Sequence, residues 1–382
     1  MSPSRARHGH CQPGGGALQN AVDDLPRAAK VAVVGGGFAG AATAWALARA
    51  GTDGVVLIER APRCGQHASG RNAALCRQLA DDEDTTAFTV RGAAFLRAPP
   101  PGFAERPLLD RTGSILTADD EAGVAALAAR AAAHGIAHER IAVADVVGRW
   151  PLLAGLRAAG GIYVPGDGVI DLAALLSGFL DGARRGGARV VTSCELLAAT
   201  PRAGGGAHLE TRRGRCDADV VVDAAGAWAG VVGARAGAAE TRFTAIQRHL
   251  FASAPVATVP GAPYVWHVGD AQLYVRRDGA GLLLSHCDGR AVEPFPGDDG
   301  PAADGDAAER LAERVRAVAP ELASIAIQRT WACLRTYAPD HRFHIRRDDA
   351  LPWLFWVAGL GGHGATASAA VGLAAAQAIR GV

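Results

Sequence analysis

The chain has 382 residues, of which 49% are hydrophobic, and its 39 basic residues nearly balance its 38 acidic ones. A chain of this length can bury a large core and exceeds what one core usually supports, so we expect a compact protein with two lobes. The balanced charge argues against the one-signed surface field that nucleic acids or anionic membranes require. A small-molecule ligand is therefore favoured, with no nucleic-acid partner.

The seven cysteines are scattered and form no CxxC or other metal-binding spacing, which is typical of a reduced, cytoplasmic protein without a metal site. Residues 1–28 lack the continuous apolar run of a secretory signal, so we interpret them as a disordered extension or a misassigned start. The apolar stretch 365–379 contains three polar residues and is too short to span a bilayer. It predicts a buried helix, and we expect no transmembrane segment.

The first structural unit of the chain is a strand, a glycine-rich turn, a helix and a second strand. An apolar, β-branched run predicts a strand over 31–34, a helix-forming composition follows at 41–50, and 55–58 predicts the next strand. Gly35, Gly37 and Gly40 form a GxGxxG motif between the first strand and the helix. In such a motif the glycines permit the tight turn, the close approach of backbone N–H groups to a pyrophosphate and close helix packing.

An acidic residue, Glu59, ends the second strand, nineteen residues after Gly40. There it would accept hydrogen bonds from a ribose diol, while the helix N-terminus faces the phosphates. Phe38, Ala39 and Arg60 lie beside these motifs and join the predicted cofactor site. The unit predicts a dinucleotide site, and by itself it does not distinguish FAD from NAD.

Further along the chain, parallel βαβ elements are interrupted by hairpin-like runs. Helices are predicted near 121–133, 172–185 and 307–318. Strands are predicted near 113–116, 189–192, 220–223, 273–275 and 282–285. Pro/Gly-rich loops are predicted at 99–102, 203–206 and 294–306.

Five later segments carry a resemblance to a known family: 65–75 (GQHASGRNAAL), 100–103 (PPGF), 219–228 (DVVVDAAGAW), 330–335 (TWACLR) and 355–364 (FWVAGLGGHG). With the Rossmann start, they resemble the D-amino acid oxidase superfamily of FAD enzymes, and most closely its D-arginine dehydrogenases. The resemblance implies FAD as the cofactor. It also implies an α/β fold in which a discontinuous Rossmann-type FAD-binding domain is joined to a mixed or antiparallel β-sheet substrate domain.

The resemblance predicts the following division of the chain. The FAD-binding domain comprises 29–97, 163–243 and 335–382, and the substrate domain comprises 98–162 and 244–334.

The family-like segments also have physical interpretations of their own. Ser69, Gly70, Arg71 and Asn72 form a small-residue turn whose donors can lie beside a flavin or pyrophosphate, although an ordinary helix-start turn has the same composition. Ala225, Gly226 and Trp228 follow a strand and let the backbone pass close to a ring system. Gly361, Gly362, His363 and Gly364 precede a helix whose dipole could stabilise reduced flavin, the alternative being a flexible helix cap.

Arg335 lies in an apolar, strand-like run, where a guanidinium needs an anion to offset its desolvation. The resemblance implies that this arginine binds the substrate α-carboxylate and that Tyr274 assists it. A structural salt bridge and a core aromatic are the alternatives. Arg248 matches a basic position on a strand of the substrate lobe, but exposed strand arginines are common.

Two histidines are open to more than one interpretation. His363 could reach the substrate or the flavin, or could simply cap a helix. His67 lies where some relatives attach flavin covalently, yet the same stretch occurs without that bond, so we expect non-covalent FAD. The alternative cysteine attachment is absent, because no cysteine follows Cys333.

The chain differs from the D-arginine enzymes at positions that contact the substrate in those enzymes. The acidic residue that receives a cationic side chain there would fall near Gly113 and Ser114, which cannot supply a charge. The residues of the flexible active-site segment fall near Leu75 and Ala80. Arg77 also occurs there; facing the pocket it would favour an acidic or second polar group on the substrate, but we expect a solvated loop arginine.

The sequence therefore predicts an enzyme that oxidises the CH–NH bond of a D-amino acid or related amine by hydride transfer to flavin N5, giving a 2-keto acid. The substrate carries a carboxylate, and the electron acceptor is open among oxygen, a quinone and a carrier protein. Two alternatives are a flavin-dependent 2-hydroxy acid dehydrogenase, for which His363 or His249 would be the base, and a non-catalytic electron-transfer flavoprotein.

Overall fold

The computed structural model describes residues 23–239, 242–295, 297 and 300–381. Strands in this part of the chain, labelled β1 to β20 in order, are Ala28–Val34, Val55–Ile58, Leu75–Cys76, Leu109–Asp110, Ser114–Ala118, Glu139–Ile141, Gly160–Val164, Gly168–Ile170, Arg189–Val191, Leu196–Pro201, Ala207–Thr211, Gly214–Asp223, Thr244–Ser253, Tyr264–His267, Leu273–Asp278, Gly281–Ser285, Arg290–Val292, Ile327–Tyr337, His344–Arg347 and Leu354–Ala358. The α-helices, α1 to α9, are Phe38–Arg49, Ala68–Arg71, Glu83–Arg97, Glu121–Ala133, Val143–Arg149, Leu172–Arg185, Ala229–Arg235, Ala307–Val318 and Gly364–Arg380.

An eight-stranded sheet holds the glycine-rich unit. Its path runs β10-β11-β12-β1-β2-β9, with β20 and β19 branching from β12. The strands β12, β1, β2 and β9 are parallel neighbours, as are β12 and β20. In β1, Val31 and Val33 face a core shared with α1, α6 and α9, while Ala32 and Val34 face a second core on the other side. Burial on both faces explains why this strand is apolar throughout.

A nine-stranded sheet forms the second half of the fold. Its path runs β17-β13-β16-β15-β14-β5-β7-β6, with β18 paired to β13. Most pairs are antiparallel, but β14 and β5 are parallel, so the sheet is mixed. A short three-stranded sheet, β3-β8-β4, accompanies the two large ones. The predicted α/β class with a Rossmann-type unit and a mixed sheet is confirmed.

Segments from separate parts of the chain build each large sheet. The eight-stranded sheet takes strands from 28–58, 189–223 and 344–358, and the nine-stranded sheet takes them from 114–164 and 244–337. The domain boundaries given above stay a prediction. The predicted helices at 121–133, 172–185 and 307–318 match α4, α6 and α8, and the apolar stretch 365–379 lies in α9.

Residues 1–22 of the expected extension lie outside the described residues. Asp23, which falls within that expected extension, accepts a hydrogen bond from the Val190 N–H at 2.9 Å. The fold therefore begins before residue 29. All six described cysteines are free, and Cys11 is not among the residues described. In the described part of the chain, each helix is too short or too polar to cross a membrane.

Candidate active site

A cavity of about 420 Å³ lies between the two large sheets, and residues of both line it. The lining includes most of the residues predicted from the sequence: Gly35, Gly37, Phe38, Ala39, Glu59, Arg60, His67, Ser69, Arg71, Asn72, Ala225, Gly226, Trp228, Tyr274, Arg335, Gly361, Gly362, His363 and Gly364. Gly40, Gly70 and Arg248 lie outside the lining. A Cβ at Gly40 would lie 1.9 Å from the Gly35 carbonyl oxygen, so this glycine permits helix packing, as predicted.

One end of the cavity is built from backbone. Gly35 has φ +112°, and a Cβ there would lie 2.5 Å from the Ala224 carbonyl oxygen, so a residue with a side chain would be strained and crowded. Helix α1 follows, with Gly37 as its N-cap and no acidic residue in its first turn. The Phe38 N–H donates to the Ser69 hydroxyl at 3.0 Å. The N-terminus of α1 thus faces the cavity, as a pyrophosphate site requires.

Glu59 is buried at the end of β2 beside this turn. Its Oε2 accepts a hydrogen bond from the Gly36 N–H at 2.6 Å, and its Oε1 accepts one from the Ala61 N–H at 2.8 Å. These bonds fix the carboxylate against the glycine-rich turn, where it lines the cavity. Its predicted contact with a ribose stays a prediction.

The segment predicted as a turn forms the short helix α2. Asn72 Nδ2 donates to the Ala68 and Ser69 carbonyl oxygens, both at 3.0 Å, and so ends the helix. Arg71 Nε donates to the Ala332 carbonyl oxygen at 3.2 Å, and Trp331 Nε1 donates to the Arg71 carbonyl oxygen at 2.8 Å. Helix α2 is therefore bonded directly to β18 of the other sheet.

His67 lies in an aromatic cluster on the cavity wall. Its ring centroid is 4.5 Å from that of Trp228 and 6.0 Å from that of Phe295. The Arg60 guanidinium stacks 4.1 Å above the Trp228 ring and places Nη2 3.3 Å from His67 Nε2. A guanidinium only donates hydrogen bonds, so His67 Nε2 is the acceptor in this contact.

The opposite end of the cavity brings two predicted segments together. Gly361 has φ +51° and its N–H donates to the Thr336 carbonyl oxygen at 2.8 Å. A Cβ at Gly362 would lie 2.7 Å from Arg335 Nη1, so the loop before α9 needs glycine there to make room for the guanidinium. Arg335, on β18, therefore packs directly against the loop.

Arg248 and Arg335 lie on the same face of the nine-stranded sheet. In the β13–β18 ladder Arg248 is opposite Cys333 and Ile246 is opposite Arg335, which makes the two arginines diagonal neighbours. Arg248 is only 7% exposed, and its Nε and Nη1 find no hydrogen-bond partner among the described residues. Burial and the charge of Arg335 lower the pKa of Arg248. No described acidic residue forms an ion pair with Arg335.

Tyr274 lies on the same face, on β15. It is 1% exposed, and its hydroxyl has no hydrogen-bond partner within the described part of the chain. Burial raises its pKa to about 12, so the phenol is protonated and can donate. The guanidinium of Arg335 and the phenol of Tyr274 at one end of the cavity suit a carboxylate ligand, and Arg248 adds a positive charge on the same sheet face outside the lining.

His363 is the N-cap residue of α9 at this end, and its side chain forms no capping hydrogen bond. Burial lowers its pKa to about 4, and the charges of Arg77 and Arg335 act in the same direction, against the opposing charge of Asp81. The imidazole is therefore uncharged at neutral pH, and its lowered pKa makes it a weak base.

Behind Arg248, one group of three potential metal ligands occurs among the described residues: His249, His286 and Asp288. His249 Nδ1 lies 2.5 Å from Asp288 Oδ2, and its Nε2 accepts a hydrogen bond from the Asp304 N–H at 3.0 Å. Because Nε2 is the acceptor, Nδ1 carries the proton and donates it to the carboxylate. Arg248 Nε lies 3.9 Å from the same carboxylate. Asp288 of this group is therefore an ion-pair neighbour of Arg248, without a hydrogen bond between the two side chains.

Sequence reasoning missed several parts of the lining. Cys194, Glu195 and Leu196 line the end near Glu59, because β9 is the parallel neighbour of β2. The rule that ligands bind at the carboxyl ends of parallel strands would have found them. Trp266 and Arg77 line the opposite end. The expectation that Arg77 is a solvated loop residue was wrong, since it is 4% exposed.

A dinucleotide fits this end of the cavity, with its phosphates at the glycine-rich turn and the N-terminus of α1 and its ribose beside Glu59. The cavity continues from there to Arg335. These features define a dinucleotide-dependent α/β enzyme. The FAD dependent oxidoreductase (DAO) family model matches residues 30–378. The chain therefore belongs to the DAO family, and FAD is its cofactor.

The chain shares low sequence identity with the following proteins. The chain is 27% identical over 283 residues to mitochondrial sarcosine dehydrogenase of Mus musculus, covering 70% of this chain and 30% of that protein. It is 26% identical over 352 residues to 4-methylaminobutanoate oxidase (formaldehyde-forming) of Paenarthrobacter nicotinovorans, covering 90% and 42%. The chain thus spans less than half the length of these relatives. The structure of L-proline dehydrogenase from P. horikoshii matches with TM-score 0.81 and 22% identity, covering 92% of this chain and 93% of that chain.

Proposed function

We propose that this chain uses FAD to oxidise the carbon–nitrogen bond of a D-amino acid or a related amine that carries a carboxylate. The observation that supports this most directly is Arg335, a guanidinium on the cavity wall without an acidic partner among the described residues. Arg248 lies on the same sheet face outside the lining, and Tyr274 presents a further buried donor to the cavity. Their desolvation is offset when an anion binds, and a substrate carboxylate is such an anion.

When bound between the glycine-rich turn and the substrate end at Arg335, FAD would supply the two-electron acceptor for the hydride that leaves the substrate carbon. The substrate also loses a proton from its nitrogen, which leaves a C=N bond. Water adds to this imine, ammonia or an amine leaves, and a 2-keto acid is formed. The contribution of the chain is positional: Arg335 holds the carboxylate, and the loop at Gly361 and Gly362 confines the reacting carbon.

Before oxidation the substrate ammonium must lose a proton. His363 is uncharged and lines the same end of the cavity, so it can accept a hydrogen bond from the ammonium, although its lowered pKa makes it too weak a base to hold the proton. We further propose that FAD is held non-covalently. His67 Nε2 is engaged as the acceptor of Arg60, and this contact opposes its use as a nucleophile.

A substrate like that of the D-arginine dehydrogenases is not favoured. Ser114, near the position of their acidic residue, donates to the Asp167 Oδ2 at 2.7 Å. Asp167 is completely buried, and its Oδ1 accepts from Gln78. It does not line the cavity among the described residues, so it offers no contact for a cationic side chain.

The test is anaerobic mixing of the purified holoenzyme with D- and L-amino acids, N-methyl amino acids and 2-hydroxy acids, while the flavin absorption band is followed. We expect at least one carboxylate-bearing amine to bleach the band and the same amine without its carboxylate to leave it unchanged. Repetition with oxygen and with an artificial acceptor then identifies the acceptor. If dithionite reduces the flavin and no amine does, the proposal fails.

The uncharged state of His363 also favours a second candidate, oxidation of a 2-hydroxy acid, because an alcohol needs a base for its hydroxyl proton. In the same screen, bleaching by 2-hydroxy acids alone would support it. His363→Asn should then abolish the bleaching, whereas amines supplied as free base should still reduce that variant.

A further inference from the structure

The guanidinium of Arg77 also lies at the end of the cavity that holds Arg335, called here the substrate end. Arg77 follows β3 and lines the cavity together with Trp266 of β14. Its guanidinium carbon lies 4.3 Å from the centroid of the Trp266 ring, and the Trp266 ring lies 5.0 Å from that of Tyr274. Arg77, Arg335 and His363 line the same cavity. Arg77 is thus a neighbour of the group that binds the first carboxylate.

Two buried donors at this position are unused. Arg77 Nε and Trp266 Nε1 have no hydrogen-bond partner among the residues that the structure describes. Their residues are only 4% and 8% exposed. A buried N–H without an acceptor is unfavourable, so an acceptor supplied by a ligand would be favoured.

The charges of the lining have one sign at this end. Of the described residues that line the cavity, only Glu59 and Glu195 are acidic, and both lie at the dinucleotide end. Asp81 pairs with Arg77 at 2.8 Å through Nη2, but its side chain is 78% exposed and lies outside the lining. Asp81 therefore occupies one edge of the guanidinium from the solvent side and leaves Nε unpaired.

We propose that the substrate carries a second carboxylate and that Arg77 and Trp266 bind it. The substrate is then an amino dicarboxylic acid or an N-carboxyalkyl amino acid, with one carboxylate at Arg335 and the other at Arg77. This inference rests on the proposed function, because it names the substrate class of the same site. Arg77 is the residue that determines specificity, and it takes no part in the hydride transfer.

The competing explanation is structural: the Asp81–Arg77–Trp266 contacts could serve only to hold the segment after β3. The two explanations differ in what Asp81→Asn does. If Arg77 binds substrate, removal of Asp81 frees a second edge of the guanidinium, and dicarboxylate affinity is kept or increased. If Arg77 serves the ion pair, Asp81→Asn and Arg77→Gln cause the same loss.

The first experiment measures binding without turnover. Succinate and butyrate, which differ by one carboxylate, are titrated into oxidised holoenzyme while the flavin difference spectrum is recorded. We expect succinate to bind about tenfold or more tightly than butyrate, Arg77→Gln to remove that preference, and Asp81→Asn to retain it. Arg91→Gln is the matched control, because Arg91 also stacks on a ring, at 4.5 Å from Phe88, but is exposed and outside the cavity.

Arg77→Lys and Trp266→Phe keep the test decisive if Arg77→Gln does not fold. Arg77→Lys keeps the positive charge and should keep part of the preference for succinate over butyrate. Trp266→Phe keeps an aromatic ring but loses the N–H, and should lower that preference severalfold. Equal binding of succinate and butyrate to the native holoenzyme, or matching losses in Arg77→Gln and Asp81→Asn, would overturn the inference.

The second experiment separates failure of the inference from failure of the proposed function. Flavin reduction is compared for D-glutamate against D-glutamine and for iminodiacetate against N-methylglycine. We expect the dicarboxylic member of a pair to reduce the flavin with the higher second-order rate constant. Equal rates within each pair would overturn the inference and leave the proposed function intact. A succinate preference with no reduction by any amine would overturn the proposed function instead.

Discussion

The two ends of the cavity are built differently. At the dinucleotide end the contacts come from backbone, namely the Gly35 turn and the N-terminus of α1, and from Glu59, whose carboxylate is held by two backbone N–H groups. At the substrate end the lining comes from side chains on β14, β15 and β18, with Arg77 after β3 and His363 before α9, so no continuous stretch of chain provides it. A backbone site is encoded locally and permits little variation. A side-chain site depends on how strands that are far apart in the sequence pair with one another. Single substitutions in it can change which ligand binds.

The largest effect should follow from Arg335→Met, which removes one positive charge at the substrate end and leaves the dinucleotide end unaltered. We expect kcat/KM to fall about a thousandfold, because loss of one partner from a buried charged pair costs roughly 2–5 kcal/mol. The dissociation constant of FAD should stay unchanged. Arg329→Met, an exposed arginine on the same strand that stacks on Trp331, is the control. A parallel loss of FAD in Arg335→Met would show that the two ends are not separable.

An intermediate effect should follow from Glu59→Gln at the other end. An amide N–H₂ would face one of the two backbone N–H groups that now donate to the carboxylate, so FAD should bind about ten to a hundred times more weakly. Turnover at saturating FAD should be close to that of the native enzyme. The dissociation constant is measured by adding FAD back to stripped protein.

Flavin that stays with acid-precipitated protein would contradict non-covalent binding.

The smallest effect concerns pH. The pKa of His363 is about 4 in the folded protein, below its ordinary value of 6.5, so the unfolded chain takes up a proton first as the pH falls. Stability contributed by the neutral imidazole is present above pH 6.5 and is lost between 6.5 and 4. The melting temperature of holoenzyme should therefore drop less between pH 7 and pH 5 in His363→Asn than in the native protein. His208→Asn, at an exposed histidine, should reproduce the native drop.

Elements with local signals could be predicted from the sequence. The glycine spacing and the apolar run of β1 gave the Rossmann unit, and α4, α6 and α8 were predicted with the bounds that the structure has. The turn at 69–72 was less well predicted, because its helix α2 is only four residues long and depends on contacts with β18.

The surroundings of single arginines could not be predicted. Arg77 follows a two-residue strand, a context with no periodicity, and its burial comes from Trp266, nearly two hundred residues away. Arg248 occupies a strand position that a sequence cannot distinguish from an exposed one. Its neighbour Arg335 is set by the pairing of β13 with β18. Such sites depend on tertiary contacts rather than on local pattern.

Helix α2 has a consequence for how this enzyme can diversify. It lies beside the glycine-rich turn through Ser69 and is bonded to β18 through Arg71 and Trp331. The same four-residue helix therefore joins the cofactor half to the strand that carries Arg335. A shift of α2 would therefore disturb the cofactor half and the strand of Arg335 together. We expect substrate specificity to change more readily by substitution of single side chains such as Arg77 than by displacement of strands.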